Sequence, residues 1–274
     1  MEPRRTPALA PIAVRVADDL RIEIETGRLA PGDSLPTLHE ITERWNCSIT
    51  SARTAVALLK QQGLITGGRG RAPVVRAEPP KVERTSLRHQ QEKDLVHEPE
   101  EARRFRGLAE EDLHGPLDGF DFTAHYTTEP AGPELGKLFG IGAEELVLRR
   151  EFEHKNRMAG DRAAWSVSWI PELLITTNPM ISDPAHAAWP GGTMHALSTV
   201  GIEIDKIVDE VTAAMPTTVE ASMWALPEGV PLLWVRRISI DTSGRVVEIS
   251  DAQYPADRTK LTFHTPLIRW DTNG

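Results

Sequence analysis

Apolar residues in the first 77 positions recur with the three- and four-residue spacing of amphipathic helices, in three consecutive segments. Turn-forming residues separate these segments, at 30–36 and again at Asn46-Cys47. The inward-facing positions expected for the three helices are Ile12, Val16, Leu20 and Ile24; Leu38, Ile41 and Trp45; and Ala52, Ala55, Val56 and Leu59. The spacing therefore predicts three short helices that share one small core.

Capping residues set the limits of the second and third helices. Thr37 with Glu40 three residues later has the spacing of a capping box, Ser48 can cap the third helix, and Gly63 follows its end. Two strands are then expected at Leu64-Ile65 and Val74-Val75, around the glycine-rich turn at 67–70. This order of elements predicts a winged helix-turn-helix, in which the third helix fits the major groove of DNA.

The pattern changes after residue 77. Residues 78–119 are polar and contain several prolines, and they are predicted to form a linker with some helix at Glu98–Arg106. Beyond them, β-prone runs alternate with short helical stretches. Strands are expected at Phe120–Thr128, Leu146–His154, Ala163–Ile170, Ile204–Ala213, Leu232–Ile240 and Val246–Tyr254, and helices near Pro133–Phe139, Glu172–Thr176, Thr193–Val200 and Thr218–Ala225. The sequence thus predicts an α+β protein with domains at 1–77 and 120–274, joined by the linker 78–119.

The second domain contains an internal repeat with an offset of 86 residues. Glu134, Leu138, Leu146, Leu148 and Arg150 align with Glu220, Trp224, Leu232, Trp234 and Arg236. Two such strand-helix-strand copies could form one antiparallel sheet with a cleft near a pseudo-twofold axis. Chance similarity between two units of the same kind is the alternative.

Charge is distributed unevenly along the chain. The net charge is −9, yet residues 1–77 hold 11 Lys and Arg against 8 Asp and Glu, and no acidic residue lies between Arg44 and Ala77. A basic stretch in an acidic protein is typical of a surface that faces phosphates, although a solvated basic face would look the same. No apolar run is long enough for a membrane span and no signal peptide is apparent, while the lone Cys47 fits a reducing compartment and a core position. We therefore expect a cytoplasmic protein that binds no membrane.

The segment GDSLPTLHEITERWNCSITSARTAVALLKQQGLITGGRGRAPVV resembles the N-terminal domain of the GntR family of transcriptional regulators, and the resemblance covers residues 11–76. It departs from the family pattern at His39 and Ile49, which replace DNA-contacting arginines, and at Ser51-Ala52, which replaces a Thr-Val pair. The resemblance implies DNA contacts from Thr37, His39, Arg44, Ser48, Thr50, Ser51, Arg53, Arg69, Gly70 and Arg71. Because a bidentate arginine–guanine contact contributes about 1–3 kcal/mol of base discrimination, the departures predict an altered half-site.

Residues 120–260 resemble the UTRA-type effector domain carried by the HutC branch of that family. The similar segments are TTEPAGPELGKLFGIGAEELVLRREF, AWSVSWIP and VTAAMPTTVEASMWALPEGVPLLWVRRISIDTSGRVVEISDAQYPADR. The implied fold is an antiparallel sheet of chorismate-lyase-like type that senses a ligand and does not catalyse a reaction. Family effectors include sugar phosphates and histidine-pathway acids, held partly by arginines.

Acidic residues stand near the expected arginine positions, and Ala214 replaces another arginine of the family pattern. The effector contacts expected from the cleft and from the resemblance are Arg150, Glu151, Glu153, Ser166, Ser168, Glu248, Asp251 and Tyr254. Since unpaired buried carboxylates are costly, these acids favour an effector that is neutral or positively charged.

No enzyme motif supports catalysis. The sequence lacks HExxH, paired cysteines, a GxSxG elbow, a P-loop and a GxGxxG after a strand, and no metal or cofactor is expected. The predicted function is that of a transcriptional repressor whose binding to a palindromic operator is modulated by a small molecule, acting as a homodimer. The alternatives are a DNA-binding or partition-type factor with a vestigial sensor and, less favoured, an enzyme of chorismate-lyase type.

Overall fold

The computed structural model describes residues 10–67, 72–105, 119–187 and 189–267, and the chain divides into two units. The first unit consists of Met1–Pro80 together with Met215–Pro231. The second consists of Lys81–Ala214 and Leu232–Gly274. Each unit therefore includes a segment that is distant in sequence from the rest of it.

Three helices form the first unit's core: α1 (Ile12–Glu25), α2 (Leu38–Trp45) and α3 (Ile49–Gln61). Thr37 and Glu40 form the predicted capping box at α2, and the Ser48 hydroxyl accepts the Ser51 amide at the start of α3. The predicted inward positions supply the core, where Val16, Leu20, Ile41, Ala52 and Leu59 are fully buried, and Cys47 packs partly buried against them. The predicted helices and their packing are confirmed.

A two-stranded antiparallel hairpin follows, made of β1 (Ile65–Thr66) and β2 (Val74–Val75). Val75 is buried in the same core, and an isolated bridge joins Ser34 to Val74. The hairpin confirms the predicted strands of the wing. The tip at 68–71 lies outside the described residues.

The second unit is built on a six-stranded antiparallel sheet with the order β4-β5-β6-β9-β8-β7. Its strands are β4 (Phe120–Pro130), β5 (Leu146–Asn156), β6 (Arg162–Pro171), β7 (Ile204–Ala214), β8 (Leu232–Asp241) and β9 (Val246–Pro255). All six predicted strands are present. The order is symmetric about the β6–β9 pair, with β4, β5 and β6 on one side and β7, β8 and β9 on the other, so the predicted pseudo-twofold relation is confirmed.

Helical elements cover both faces of this sheet. On one face α6 (Gly132–Phe139) contributes Phe139 to a cluster with Val147 and Ile249. On the other face α7 (Gly192–Ser198) and the 3₁₀ turns at Glu172–Leu174, Pro179–Ser182 and Pro184–His186 cover a larger cluster that contains Leu148 and Leu197. Val147 and Leu148 are consecutive, so they point to opposite faces as strand geometry requires.

The structure corrects the prediction of a linker at 78–119. Strand β3 (Val82–Thr85) pairs in parallel with β10 (Thr259–Thr262), and α4 (Arg88–Leu95) and α5 (Glu100–Phe105) follow it in the second unit. The α4 helix has no continuous apolar stripe, and polar contacts hold much of its surface: the Nε2 of His89 lies 3.2 Å from the Asp209 carboxylate, and Lys93 pairs with Glu203 at 2.8 Å. Residues 106–118 lie outside the described residues.

Asp241 closes the hairpin between β8 and β9, as the sequence Asp241-Thr242-Ser243-Gly244 predicts. Its carboxylate accepts the Ser243 hydroxyl at 2.7 Å and the Arg245 backbone amide at 2.9 Å. Burial alone would raise the pKa of Asp241, but the hydrogen bonds from Ser243 and Arg245 outweigh it and lower the pKa to about 2.

The segment 215–231 carries α8 (Thr218–Met223) and belongs to the first unit, although it connects β7 to β8 in sequence. Glu228 pairs with Lys60 at 3.2 Å, near the C-terminal end of α3. The Gly229 backbone, with a φ of +85°, packs directly against the backbone of Gln61 and Gly63. The second copy of the repeat thus differs from the first, whose helix α6 packs on the sheet.

Candidate DNA-binding surface and effector cavity

The outer face of α3 presents the residues available for reading DNA. Thr50 and Arg53 are exposed on it, and Ser51 is half-buried beside the Ser48 cap. Thr54 and Ile49 are also exposed and were not among the predicted contacts. Thr54 lies opposite the predicted buried stripe, so helical periodicity alone could have identified it. Ile49 lies three residues before the buried Ala52 and is exposed because it is the first residue of α3.

The α2 residues predicted to contact DNA have partners within the protein. Thr37 is exposed but its hydroxyl is part of the capping box, and the exposed His39 lies 3.3 Å from Glu43. Arg44 pairs with the buried Glu23 of α1 and stacks on Trp45, with its guanidinium 4.2 Å from the ring centroid. The hydrogen bonds that Arg44 donates to Glu23 raise the pKa of Arg44. Arg44 therefore links α1 to α2, a structural role that the sequence analysis did not assign to it.

The three wing residues Arg69, Gly70 and Arg71 lie outside the described residues. Their predicted role in DNA binding stays a prediction.

Within the second unit, one face of the sheet carries a cavity of about 170 Å³ between the strands and α7. Four of the eight predicted effector contacts line it: Ser166, Ser168, Glu248 and Tyr254. The other lining residues are Glu92, Phe152, Thr193, Met194, Leu197, Ile204, Ile207, Val235, Arg237, Ser239, Ser250 and Ala252. An apolar wall with convergent hydroxyl and charged groups is typical of a small-molecule site.

A larger groove of about 370 Å³ lies in the same unit, lined mainly by apolar residues such as Phe139, Leu146 and Leu173. Its polar lining residues are Glu144, Glu145, Glu172, Thr176 and Arg245. The smaller cavity is the better candidate for a ligand site, because its lining holds more polar groups of the kind that fix a ligand's orientation.

Arg150 organises the floor of the cavity. It is buried and donates to Glu248 at 2.6 Å, to the Ser168 hydroxyl at 2.9 and 3.1 Å, and to the Thr193 hydroxyl at 3.2 Å. The pair with Glu248 neutralises both charges, and four bonds from one guanidinium hold strands β5, β6 and β9 and helix α7 in fixed relation.

A second ion pair lies beside it. Arg237 donates to Asp209 at 2.8 and 3.1 Å, and the Nε2 of His89 lies 3.2 Å from the same carboxylate. Burial alone would raise the pKa of Asp209, but the hydrogen bonds from His89 and Arg237 hold it well below its usual range. The Arg237 charge is therefore balanced within the protein.

Three predicted effector contacts lie on the opposite face of the sheet. Glu151 accepts Trp165 Nε1 and Arg149, Glu153 accepts Arg162, and Asp251 accepts both ends of the Arg236 fork at 2.8 Å. The predicted convergence of four carboxylates is thus corrected, because residues one apart on a strand point to opposite faces. Arg150 and Glu151 could not both line one cavity.

Sequence reasoning missed several residues of the cavity. Phe152 and Ser250 follow from the two-residue period, since they lie two positions from Arg150 and Glu248 on their strands. Glu92 has no such signal. It comes from α4, in the stretch predicted to be a linker, and only the three-dimensional fold brings it to the sheet.

The structure also bears on other kinds of site. In the described part of the chain, no helix is long and apolar enough to cross a membrane. Across the same ranges, no group of three His, Cys, Asp or Glu side chains is placed to hold a metal ion.

Comparisons with known proteins identify both units. Residues 12–75 match the family described as bacterial regulatory proteins of the gntR family, and residues 123–260, half of the chain, match the UTRA domain. An uncharacterised HTH-type transcriptional regulator of Streptomyces coelicolor is 23% identical over 259 residues, covering 93% of this chain and 92% of that protein. The HTH-type transcriptional repressor NagR of Bacillus subtilis is 23% identical over 263 residues, covering 90% and 92%.

A crystal structure of a GntR-family transcriptional regulator shares the fold. It has a TM-score of 0.67 and 25% identity, and the match covers 94% of this chain and 98% of that one. These matches extend over both units of this chain. The chain therefore belongs to the GntR family of bacterial transcriptional regulators, in the group that carries a UTRA domain, and not to a family of enzymes.

Proposed function

We propose that this regulator is a repressor whose operator binding is modulated by a small molecule held in the cavity of the UTRA domain. The observation that carries the proposal is the cavity itself, where hydroxyl groups, a Tyr ring and balanced ion pairs converge on one face of the sheet. Similarity to a protein named as a repressor supports the direction of control. A vestigial sensor would not need a buried arginine with four hydrogen bonds beneath its floor.

The proposed DNA surface is the outer face of α3 together with the wing. Thr50, Ser51 and Arg53 would contact DNA in the major groove, and Arg69, Gly70 and Arg71 would contact phosphates. Thr37, His39 and Ser48 stand at the starts of α2 and α3, where backbone amides can face phosphates. Arg44 would act indirectly, by fixing α1 against α2.

The proposed operator differs from the family's usual palindrome. Ile49 is exposed at the start of α3, where an apolar side chain can contact a thymine methyl group but cannot read guanine. Selection from a random duplex library should therefore yield an AT-biased position in each half-site, and Ile49→Arg should change the preferred base there to guanine. Recovery of the same palindrome by both proteins would contradict this reading.

A homodimer is proposed because one winged helix covers only a few base pairs, whereas regulators of this kind combine two half-sites related by protein symmetry. The chain has a mass of 30.3 kDa, so light scattering should give about twice that value at micromolar concentration. A monomer in both the presence and the absence of operator would refute the dimer.

The decisive experiment is footprinting of the DNA that flanks the protein's own gene, with and without candidate metabolites. A metabolite that changes protection should also raise the melting temperature of the protein, since it binds the folded state. The coupling is reciprocal, so a tenfold loss of operator affinity, about 1.4 kcal/mol, must appear as a tenfold loss of effector affinity when operator is bound. Protection that no metabolite changes would favour the DNA-binding factor with a vestigial sensor.

A further inference from the structure

The acidic side chains around the cavity differ in how they are paired. Arg150 is paired with Glu248 and Arg237 with Asp209, so these four side chains contribute no net charge. Glu92 also lines the cavity, from α4. Among the described residues no ion pair neutralises Glu92, although Arg88 lies one turn before it on α4 and acts on its charge.

Glu92 is half-buried, and no ion pair joins it to another of the described residues. Its carboxylate accepts a hydrogen bond from the Met194 amide, and the positive charges of Arg237 and Arg88 act to lower its pKa. Burial raises the pKa of Glu92, and the nearby Glu248 adds to this effect. A cation that entered the cavity would stabilise the ionised carboxylate and so recover part of this cost.

Glycine at the start of α7 leaves room for the Glu92 carboxylate itself. A Cβ atom at Gly192 would lie 2.7 Å from one Glu92 oxygen. The backbone there has a φ of +69°, which also favours glycine. The carboxylate can therefore pack against the start of α7, and since it has more lone pairs than the Met194 bond uses, it can also accept a hydrogen bond from a ligand.

Hydroxyl groups line the remainder of the polar wall. Ser168 and Thr193 both accept hydrogen bonds from Arg150, so their own protons are available to donate toward the cavity. Ser166 and Ser250 lie on the same face. Donors and acceptors of this kind match the hydroxyl groups of a ligand.

Building on the proposed function, we propose that the effector is a small hydroxylated amine whose ammonium group binds Glu92 and whose hydroxyl groups bind Ser168 and Thr193. The cavity of about 170 Å³ limits the ligand to a few heavy atoms around these groups. An anionic effector would meet the uncompensated carboxylate and be disfavoured.

Three matched three-carbon probes test this assignment: 2-amino-1,3-propanediol, which is a cation, glycerol, which is neutral, and glycerate, which is an anion. Dissociation constants are measured on the full-length protein from the NMR shift of the Met194 amide, which reports on its bond to Glu92. On the wild type, the cation should bind about tenfold more tightly than either other probe, which corresponds to about 1.4 kcal/mol.

Variants locate the preference. Glu92→Gln keeps an oxygen for the Met194 amide and removes the charge, so it should abolish the preference, whereas Glu92→Asp should retain it. Glu210→Gln is the matched control, because Glu210 is exposed and neighbours Asp209 on β7, on the opposite face of the sheet. Should Glu92→Gln be unstable, the probe ranking on the wild type and on Glu92→Asp still decides.

Two failures can be distinguished. Glycerol or glycerate binding as tightly as the amine, or a preference that survives in Glu92→Gln, overturns the assignment and leaves a small-molecule sensor intact. No shift of Met194 with any probe up to about 50 mM, far above the millimolar range of weak binding, overturns both the assignment and this cavity as the effector site.

Discussion

Replacing Gly229 with alanine tests whether the segment 215–231 is firmly docked on the end of α3. A Cβ atom at this position would lie 2.6 Å from the Gly63 nitrogen and closer still to the Gln61 carbonyl oxygen. Both are backbone atoms, so no side-chain rotation can relieve the overlap. Gly27 is the matched control in the same unit, because it has a φ of +75° and nothing within 4 Å of its Cβ position.

The two substitutions share one cost and differ in another. Alanine in the left-handed region costs about 1–2 kcal/mol, which lower chain entropy in the unfolded state offsets by about 0.4–1 kcal/mol. Gly27→Ala should therefore destabilise the unit by about 1 kcal/mol. Gly229→Ala adds a steric overlap of the kind that costs about 1–3 kcal/mol in packed interiors. The destabilisation by Gly229→Ala cannot exceed the free energy with which the segment 215–231 is held in the first unit. The exposed Lys60–Glu228 pair contributes at most about 1 kcal/mol to that free energy.

Calorimetry on the full-length protein measures the effect as a shift of the first unit's transition. For a unit of this size 1 kcal/mol corresponds to about 4–8 °C, so Gly229→Ala should melt roughly 5–20 °C below Gly27→Ala. Amide exchange at Leu64, which bonds to the Leu59 carbonyl, should accelerate as well. Equal melting temperatures for the two variants would show that the segment does not pack against α3 as described.

Three further predictions concern single side chains. Arg53→Ala should weaken duplex DNA binding and reduce the slope of log binding constant against log salt concentration by about one unit. Arg15→Ala, on the exposed face of α1, should leave this slope unchanged, and equal slopes for the wild type and both variants would remove Arg53 from the interface. Arg150→Met should destabilise the second unit by about 3–5 kcal/mol in urea unfolding, because it strands a buried carboxylate, and should cost more than Arg236→Met, whose partner lies on a more exposed face. Because the pKa of Asp241 is lowered to about 2, the stability that its ionised carboxylate contributes is complete above about pH 4 and is lost as the pH falls toward 2. Asp241→Asn should flatten that part of the pH–stability profile, and an unchanged profile would count against the Asp241 hydrogen bonds.

Much of the fold could be predicted because local pattern and tertiary structure agree. The apolar stripes of the three predicted helices, which include Ile41 and Leu59, form the core of the first unit. The β-prone runs of the second domain form the six strands of its sheet. The repeat with an offset of 86 predicted the symmetric strand order, since equivalent segments occupy equivalent places in the sheet. Each of these signals is carried by residues close together in the sequence.

The stretch 82–105 could not be recognised in this way. Strand β3 has four residues and pairs with β10, which lies at the other end of the chain. Helix α4 buries Leu95 but otherwise fixes its position through charged groups, so its composition is that of a solvated linker. Long-range strand pairing and polar contacts leave no periodic signal in the sequence. The start of the second unit was therefore predicted near residue 120, whereas the unit begins at Lys81.

The sequence predicts a neutral or positively charged effector from four carboxylates on the strands, and the structure removes that reason. Four carboxylates on the strands favoured a neutral or cationic effector, yet Glu151, Glu153 and Asp251 lie on the opposite face with cationic partners, and Glu248 is neutralised by Arg150. A carboxylate gives a cavity negative charge only if its side chain points into the cavity and is not neutralised there. None of the four strand carboxylates meets both conditions, so they do not support a preference for a cation. The proposal of a cationic effector rests instead on Glu92, which no strand pattern could indicate. If that proposal is right, one residue of α4 determines the preference for a cation, so Glu92→Gln tests its origin more directly than any substitution on the sheet.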